Sequence, residues 1–437
     1  MSTVETLIFD DGERYPILLG EDGMPDFYVT LWVTTKLRSG KAVQTIDNRI
    51  RAIQWLYEWE KNKRRSLISE FEQGRFLTDE DMVDLKAHMK INAFEYKRAA
   101  KVKPSRKVVS LYGVPEIVTT IDSVGRNHHY NRMTAVAEYL HFVAKVVNQY
   151  RSNQSVTRAV DKMLKDFKAI RPKGKGKNVD STEENTLPDG LLDEFVSVAH
   201  IDHLKNPFLN PTIKKRNHLM FHLLRELGIR RGELLSLELS HMDLHGQRPT
   251  IWVRRTHDDK YDPRKTQPVS KTKERKLPIK VSTANLLSDY ILNERAKTPN
   301  ANKHPYLFVT HKKCPTQGHP LSESAFNNMI VPIMKAADPR FAVIRPHIFR
   351  HEWNLDFSRK IDANNKLVEA GDKSKKHIEA AHEAKMRKDL MGHSSEKSAD
   401  IYNQRHIREK ANEAMLTEQE DLKKSLQELE QKKQENK

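Results

Sequence analysis

A chain of 437 residues, 37% hydrophobic and 31% charged, is long enough for two ordinary domains, each burying its own core. Its 76 lysines and arginines against 59 acids leave a formal charge of +17, which favours a polyanionic partner because neutralising phosphates releases condensed counterions. A mean hydropathy of −0.73 and the lack of a long apolar run exclude a bilayer-spanning segment, and the single cysteine, Cys314, excludes an internal disulfide. The N-terminus, MSTVETLIFDDGERYP, carries acids early and has no apolar export core, so a cytosolic setting is expected. Charge alone does not separate DNA from RNA or a membrane surface.

In chain order, residues 1–30 read as a small extended segment punctuated by Gly12, Gly20 and Gly23. Val43, Ile46, Ile50, Ile53 and Tyr57 recur at helical spacing and predict a helix over 41–63. A second helix is expected over 78–100, opening at Thr78 with acids in its first turn. The basic stretch 101–121 contains Pro104 and Pro115 and reads as loop. Met133 to Val147 mark a third helix, and Val160, Leu164 and Phe167 a fourth. Residues 1–170 thus form a helical, basic front domain. Residues 171–188, polar and containing Gly, Pro and Lys, read as a linker.

A mixed region follows over 189–410. Helices are expected at 189–202, 213–227 and just after Gly232, strands at 250–255, 275–280 and 306–310, and a helix over 283–296. Helices dominate again from Ser322. From 411 to 437 a charged tail carries Met415, Leu422, Leu426 and Leu429 on one helical stripe that needs a partner surface.

Three segments carry chemistry. In LLRELGIRRGELLSLELSHMDL (223–244), Gly228 sits where a helix should stop, Arg230 lies in the connection, and Glu233 enters the next helix's first turn. Taken alone this is a helix-turn-helix with solvated arginines. In RPHIFRHEWN (345–354), His347 and Arg350 lie three apart on one helical face. A zinc reading of His347, His351 and Glu352 fails because Leu355, not histidine, stands four after His351. In DLMGHSSEKSADIYNQRH (389–406), Gly392 and His393 break a helix and Tyr402 falls on the next. A lone tyrosine there would ordinarily be a core aromatic.

Together, in this order, the segments resemble the tyrosine recombinase (phage integrase) family. GIRRGEL resembles the family's first arginine motif, HIFRH its His-x-x-Arg box, and GHSSEKSADIY its closing box. SKTKERKLPI (270–279) resembles the β-hairpin bearing the catalytic lysine, with a turn that reads as slightly shorter than is common. The resemblance implies Arg230, Lys271, His347, Arg350, His393 and Tyr402 as catalytic residues, with Lys273 the alternative lysine and Glu233 and His351 in support. It implies no cofactor and no metal.

The chemistry suits these residue types. Two guanidiniums can grip nonbridging phosphate oxygens bidentately with charge that does not titrate away. A phenol of pKa about 10 must lose its proton during attack, and a lysine can protonate the departing 5′ oxygen. The stretch 358–387 is longer than the family's usual connection between boxes and reads as extra helix. The implied architecture is mainly α with a small antiparallel sheet: a two-domain DNA clamp of a helical core-binding domain and a tyrosine-recombinase catalytic domain. The implied function is site-specific recombination or integration for a phage or mobile element. Its partners would be double-stranded DNA, sister protomers in a tetramer, accessory DNA-bending proteins and no membrane, in a bacterial cytoplasm at the nucleoid. The alternatives are a type IB topoisomerase-like enzyme that relaxes DNA as a monomer, and a catalytically silent DNA-binding protein of the same fold.

Overall fold

The computed structural model describes residues 2–101, 122–150, 154–173, 187–394, 407 and 410–427. The chain divides into two compact units, residues 1–10 with 14–177 and residues 11–13 with 178–437.

The first unit is helical apart from an opening hairpin, which falls within the segment 1–30 expected to be extended. Strands β1 (Thr3–Ile8) and β2 (Arg14–Leu19) pair antiparallel from Thr3↔Leu19 to Ile8↔Arg14. The alternation and branched side chains of TVETLI suit a pleated, half-buried surface. Helix α1 (Phe27–Trp32) begins at Asp26, whose carboxylate caps the Val29 N–H at 2.8 Å. In α2 (Val43–Lys63), Ile46, Ile50, Ile53 and Leu56 form the buried stripe. Helix α3 (Leu67–Glu72) precedes α4 (Asp79–Lys90), which opens with a Thr78–Asp81 capping box.

The helix expected over 78–100 is broken. Ile91 turns extended and bridges Ser123, and the Asn92 side chain accepts the Phe94 N–H at 3.1 Å, starting α5 (Ala93–Lys101) afresh. An asparagine competing for backbone donors is the physical reason. Helices α6 (Arg126–Val147) and α7 (Gln154–Ala169) complete the unit. Tyr57 and Tyr139 join their hydroxyls at 2.6 Å, tying α2 to α6, and the Trp55 indole donates to the His88 carbonyl of α4 at 2.9 Å. The loop expected over 101–121 and the linker over 171–188 lie mostly outside the described residues.

The second unit is helical around a three-stranded sheet. Helices α8 (Leu191–Val198), α9 (Pro211–Leu227) and α10 (Arg231–Leu235) are followed by strands β3 (Met242–Asp243), β4 (Thr250–Val253) and β5 (Arg275–Pro278), antiparallel in the order β3-β4-β5. The connection from β4 to β5 runs over 254–274. It is closed by a buried Asp262–Arg264 pair at 2.8 Å whose guanidinium also reaches the carbonyls of Leu235 and Leu321.

Helix α11 (Val281–Asp289) passes into a wider turn at Tyr290–Arg295. Residues 306–310 are no strand. Tyr306 bridges Glu238 and Val309 bridges Pro320, single pairs with different partners, so the buried apolar run never builds a ladder. Short helices α12 (Glu323–Ala325) and α13 (Val331–Lys335) lead to the long α14 (Ile348–Glu369) and to α15 (Ala380–Met391). The core holds Phe195 against Phe221, Phe341 and Phe349, with ring centroids 5.0, 5.1 and 6.0 Å apart.

The extra stretch 358–387 completes α14, turns, and forms most of α15. Its two helices are braced by the fully buried Arg387, which pairs with Glu383 and Ser358. Asn364 and Asn365 tie the turn at the carbonyls of Lys376 and Ile378, both at 2.9 Å. Residues 410–427 are helical, with Met415, Leu422 and Leu426 exposed; Leu429 lies outside the described residues.

Candidate active site

Gly228 ends α9 in the left-handed conformation, φ +59°, and a Cβ there would lie 2.7 Å from Cγ of Trp353. Glycine is needed twice over, for the turn and for the close approach of α14. The chain then reverses, and Arg230 becomes the residue preceding α10. Of the neighbouring arginines in GIRRGEL, Arg231 is drawn aside to Glu323 and Asn327, at 2.5 and 2.8 Å. The Arg230 guanidinium stays partly exposed, 28%, near Glu233 at 3.5 Å.

In the first turn of α14, Phe349 packs in the aromatic core and the Arg350 side chain is buried to 0% exposure. It donates to the Gly228 carbonyl at 3.0 Å, to the Met391 carbonyl at 2.9 Å and to Nε2 of His393 at 2.9 Å. One guanidinium thereby gathers three segments that are far apart in sequence. A guanidinium only donates, so Nε2 of His393 accepts and the ring proton sits on Nδ1. Burial pushes the His393 pKa down to about 4, helped by the charges of Arg350, Arg230 and Arg275 and opposed by Glu233, so the imidazole is neutral near pH 7.

Glu233 is wholly buried. Burial by itself would raise its pKa, but the attraction and hydrogen bond of Arg275, then Arg350 and the Thr272 hydroxyl, hold it down to about 2. Its carboxylate takes the Arg230 backbone N–H at 3.0 Å, the Thr272 hydroxyl at 2.6 Å and Arg275 at 2.8 Å. Its place is therefore in support of the arginine turn. His347 precedes α14 and remains exposed. Partial loss of hydration, then Arg350 and Arg230, lower its pKa, and its ring stands edge-on to His351 with centroids 4.8 Å apart.

Lys271 and Lys273 are both exposed, on either side of the buried Thr272. The Lys273 N–H reaches the Gly392 carbonyl at 2.9 Å, which lays this loop against the end of α15. Tyr402 lies outside the described residues. Thr272 and Arg275 were missed at sequence level. A threonine between two lysines and an arginine opening a strand signal nothing until the fold buries them. Among the described residues no group of three His, Cys, Asp or Glu is placed to hold a metal ion.

The buried Arg350, the neutral His393 and the partly exposed Arg230 thus lie within electrostatic reach of one another. Residues 193–368 match the model of the phage integrase family. The match stops short of His393 and Tyr402. Solved structures similar to the chain include the XerH site-specific recombinase bound to difH substrate in a pre-cleavage complex, at 16% identity over 88% of this chain and 93% of that one, TM-score 0.38. Another is the Tn1549 transposon integrase in complex with circular intermediate DNA, at 15% identity over 86% and 93%, TM-score 0.45. The XerA recombinase is similar at 16% identity over 89% and 97%, TM-score 0.34. No curated protein sequence matches the chain significantly.

Proposed function

We propose that this protein is a site-specific DNA recombinase or integrase that cuts a strand with Tyr402 and holds the broken end as a 3′-phosphotyrosyl ester. The observation that carries the reading is the convergence on Arg350: the arginine turn, the His-x-x-Arg helix and the segment ending at His393 meet at one buried guanidinium. In the reaction, the Tyr402 oxygen bonds to phosphorus and its phenolic proton passes to His347. Arg230 and Arg350 neutralise charge growing on the nonbridging oxygens, and His393 donates to the same phosphate. The bond to the 5′ oxygen breaks, and that oxygen takes a proton from Lys271, or from Lys273 in the same loop. Glu233 and His351 support these groups.

Ester exchange conserves the bond energy, so a second strand's 5′-hydroxyl can reverse the attack with no nucleotide or metal. A charge of +17 suits double-stranded DNA as the partner. Exchange between two duplexes would call for four protomers, with accessory proteins bending the site, at the bacterial nucleoid on behalf of a phage or mobile element.

The test is a nicked half-site substrate resolved on a denaturing gel, run in parallel with EDTA and with Mg²⁺. The wild-type chain should form a covalent protein–DNA adduct, and Tyr402→Phe should bind the DNA and form none. An adduct persisting in the phenylalanine variant, or one appearing only with Mg²⁺, would sink the mechanism.

A further inference from the structure

Three consecutive carbonyls around the end of α15 are each taken by a different part of the site. Leu390 O accepts from Nε of Arg275 at 2.6 Å, Met391 O from Arg350 at 2.9 Å and Gly392 O from the Lys273 N–H at 2.9 Å. The last carbonyls of a helix lack intrahelical donors and carry its negative end, so cationic donors are favoured there.

Arg275 reaches furthest of the three. It is 9% exposed, and besides Leu390 O it donates to the Thr272 hydroxyl at 2.9 Å and to Glu233 at 2.8 Å. The Thr272 hydroxyl in turn donates a hydrogen bond to Glu233 at 2.6 Å, closing a buried three-way contact. Burial alternates along this loop: Ser270 and Thr272 are buried, Lys271 and Lys273 exposed. The packing against α15 is tight. A Cβ on Gly392, whose φ is +65°, would lie 2.7 Å from the Lys273 carbonyl oxygen and 2.9 Å from Nη1 of Arg275.

We propose that Arg275 is a positioning residue for the general acid: by bridging Glu233, Thr272 and the end of α15, it fixes the loop that presents Lys271 and Lys273 to the leaving 5′ oxygen. The inference rests on the phosphotyrosyl reading above. Arg275 touches neither DNA nor the reacting atoms; the proton that moves is the lysine's, onto the 5′ oxygen as its bond to phosphorus breaks. Lysine at 275 would keep a positive charge for Glu233, but one ammonium cannot span acceptors that a planar fork reaches from three nitrogens.

The test uses the full chain and two nicked substrates, one ordinary and one with sulfur replacing the bridging 5′ oxygen at the cleavage site. A thiolate, with a thiol pKa of about 8.5, leaves without a proton donor. Arg275→Lys should slow single-turnover adduct formation on ordinary DNA by roughly 10–100-fold, the range typical for loss of a supporting contact. On the sulfur substrate it should come within about threefold of wild type, with DNA affinity changed by about twofold or less. Thr272→Val, nearly isosteric, should follow the same pattern more weakly and stands in if Arg275→Lys folds poorly. Equal slowing on both substrates, or none on either, would overturn the inference while leaving the recombinase reading intact. Absence of any Tyr402 adduct from the wild-type chain on both substrates would instead overturn the reading and the inference together.

Discussion

Adding one methyl group at Gly228 should loosen the site without altering any side chain in it. An alanine there must hold φ near +59°, which disfavours an L residue by about 1–2 kcal/mol. The new Cβ would also stand 2.7 Å from Cγ of Trp353 and 2.9 Å from its Cβ and Cδ2. Trp353 cannot swing away freely, because its indole N–H donates to the Glu226 carbonyl at 2.9 Å. Overpacking of this kind costs about 1–3 kcal/mol, so Gly228→Ala should destabilise the second unit by roughly 2–5 kcal/mol. It should also shift the carbonyl that receives Arg350 and slow cleavage. Denaturant unfolding measures the first effect, and adduct formation on a nicked half-site the second. Gly228→Asn separates the causes, since asparagine tolerates the left-handed backbone but brings the same Cβ. It should rescue little. Either variant within about 0.5 kcal/mol of wild type and cleaving normally would refute the reasoning.

The two arginines should respond differently to alanine. Arg230 makes a 3.5 Å contact with Glu233 and is partly exposed, so Arg230→Ala should slow cleavage roughly 10²–10³-fold with a stability loss of about 1 kcal/mol or less. Arg350→Ala strands the Gly228 and Met391 carbonyls and should cost about 2–5 kcal/mol as well as cleavage, while DNA affinity measured by filter binding holds in both. Equal losses of affinity and rate would recast them as simple DNA contacts. Acid should destabilise the second unit in two stages. His393, down at about 4 from an ordinary 6.5, takes up its proton more readily when unfolded, so its stabilisation is complete above pH 6.5 and is lost as pH falls towards 4. That contribution is on the order of 3 kcal/mol at most. Glu233, down at about 2 from 4.5, adds stability above its unfolded pKa that is lost between about pH 4.5 and 2. His218 and His241, down at about 4, and His311, down at about 3, act in the same range, so His393→Gln should shrink the upper stage of a denaturant-midpoint profile against pH by its own share, and an unchanged profile would contradict the assigned burial.

The sequence by itself determined the elements that repeat. Apolar spacing marks α2, α6 and α9, Thr78 with its acids marks the start of α4, and Gly228 marks the end of α9, because helix periodicity and capping are local properties of a few adjacent residues. It also determined which residue types stand in the boxes around Arg230, Arg350 and His393. Tertiary structure decided what those residues do to one another. Packing of α14 puts Arg350 against the Gly228 and Met391 carbonyls, and Arg231 is taken by Glu323, leaving Arg230 beside Glu233. The run 306–310 stays out of any ladder because its two ends find different partners. Arg275 and Thr272 acquire a role only when the end of α15, more than a hundred residues later, closes over them. Contacts of that range depend on how whole helices pack, which no local pattern encodes.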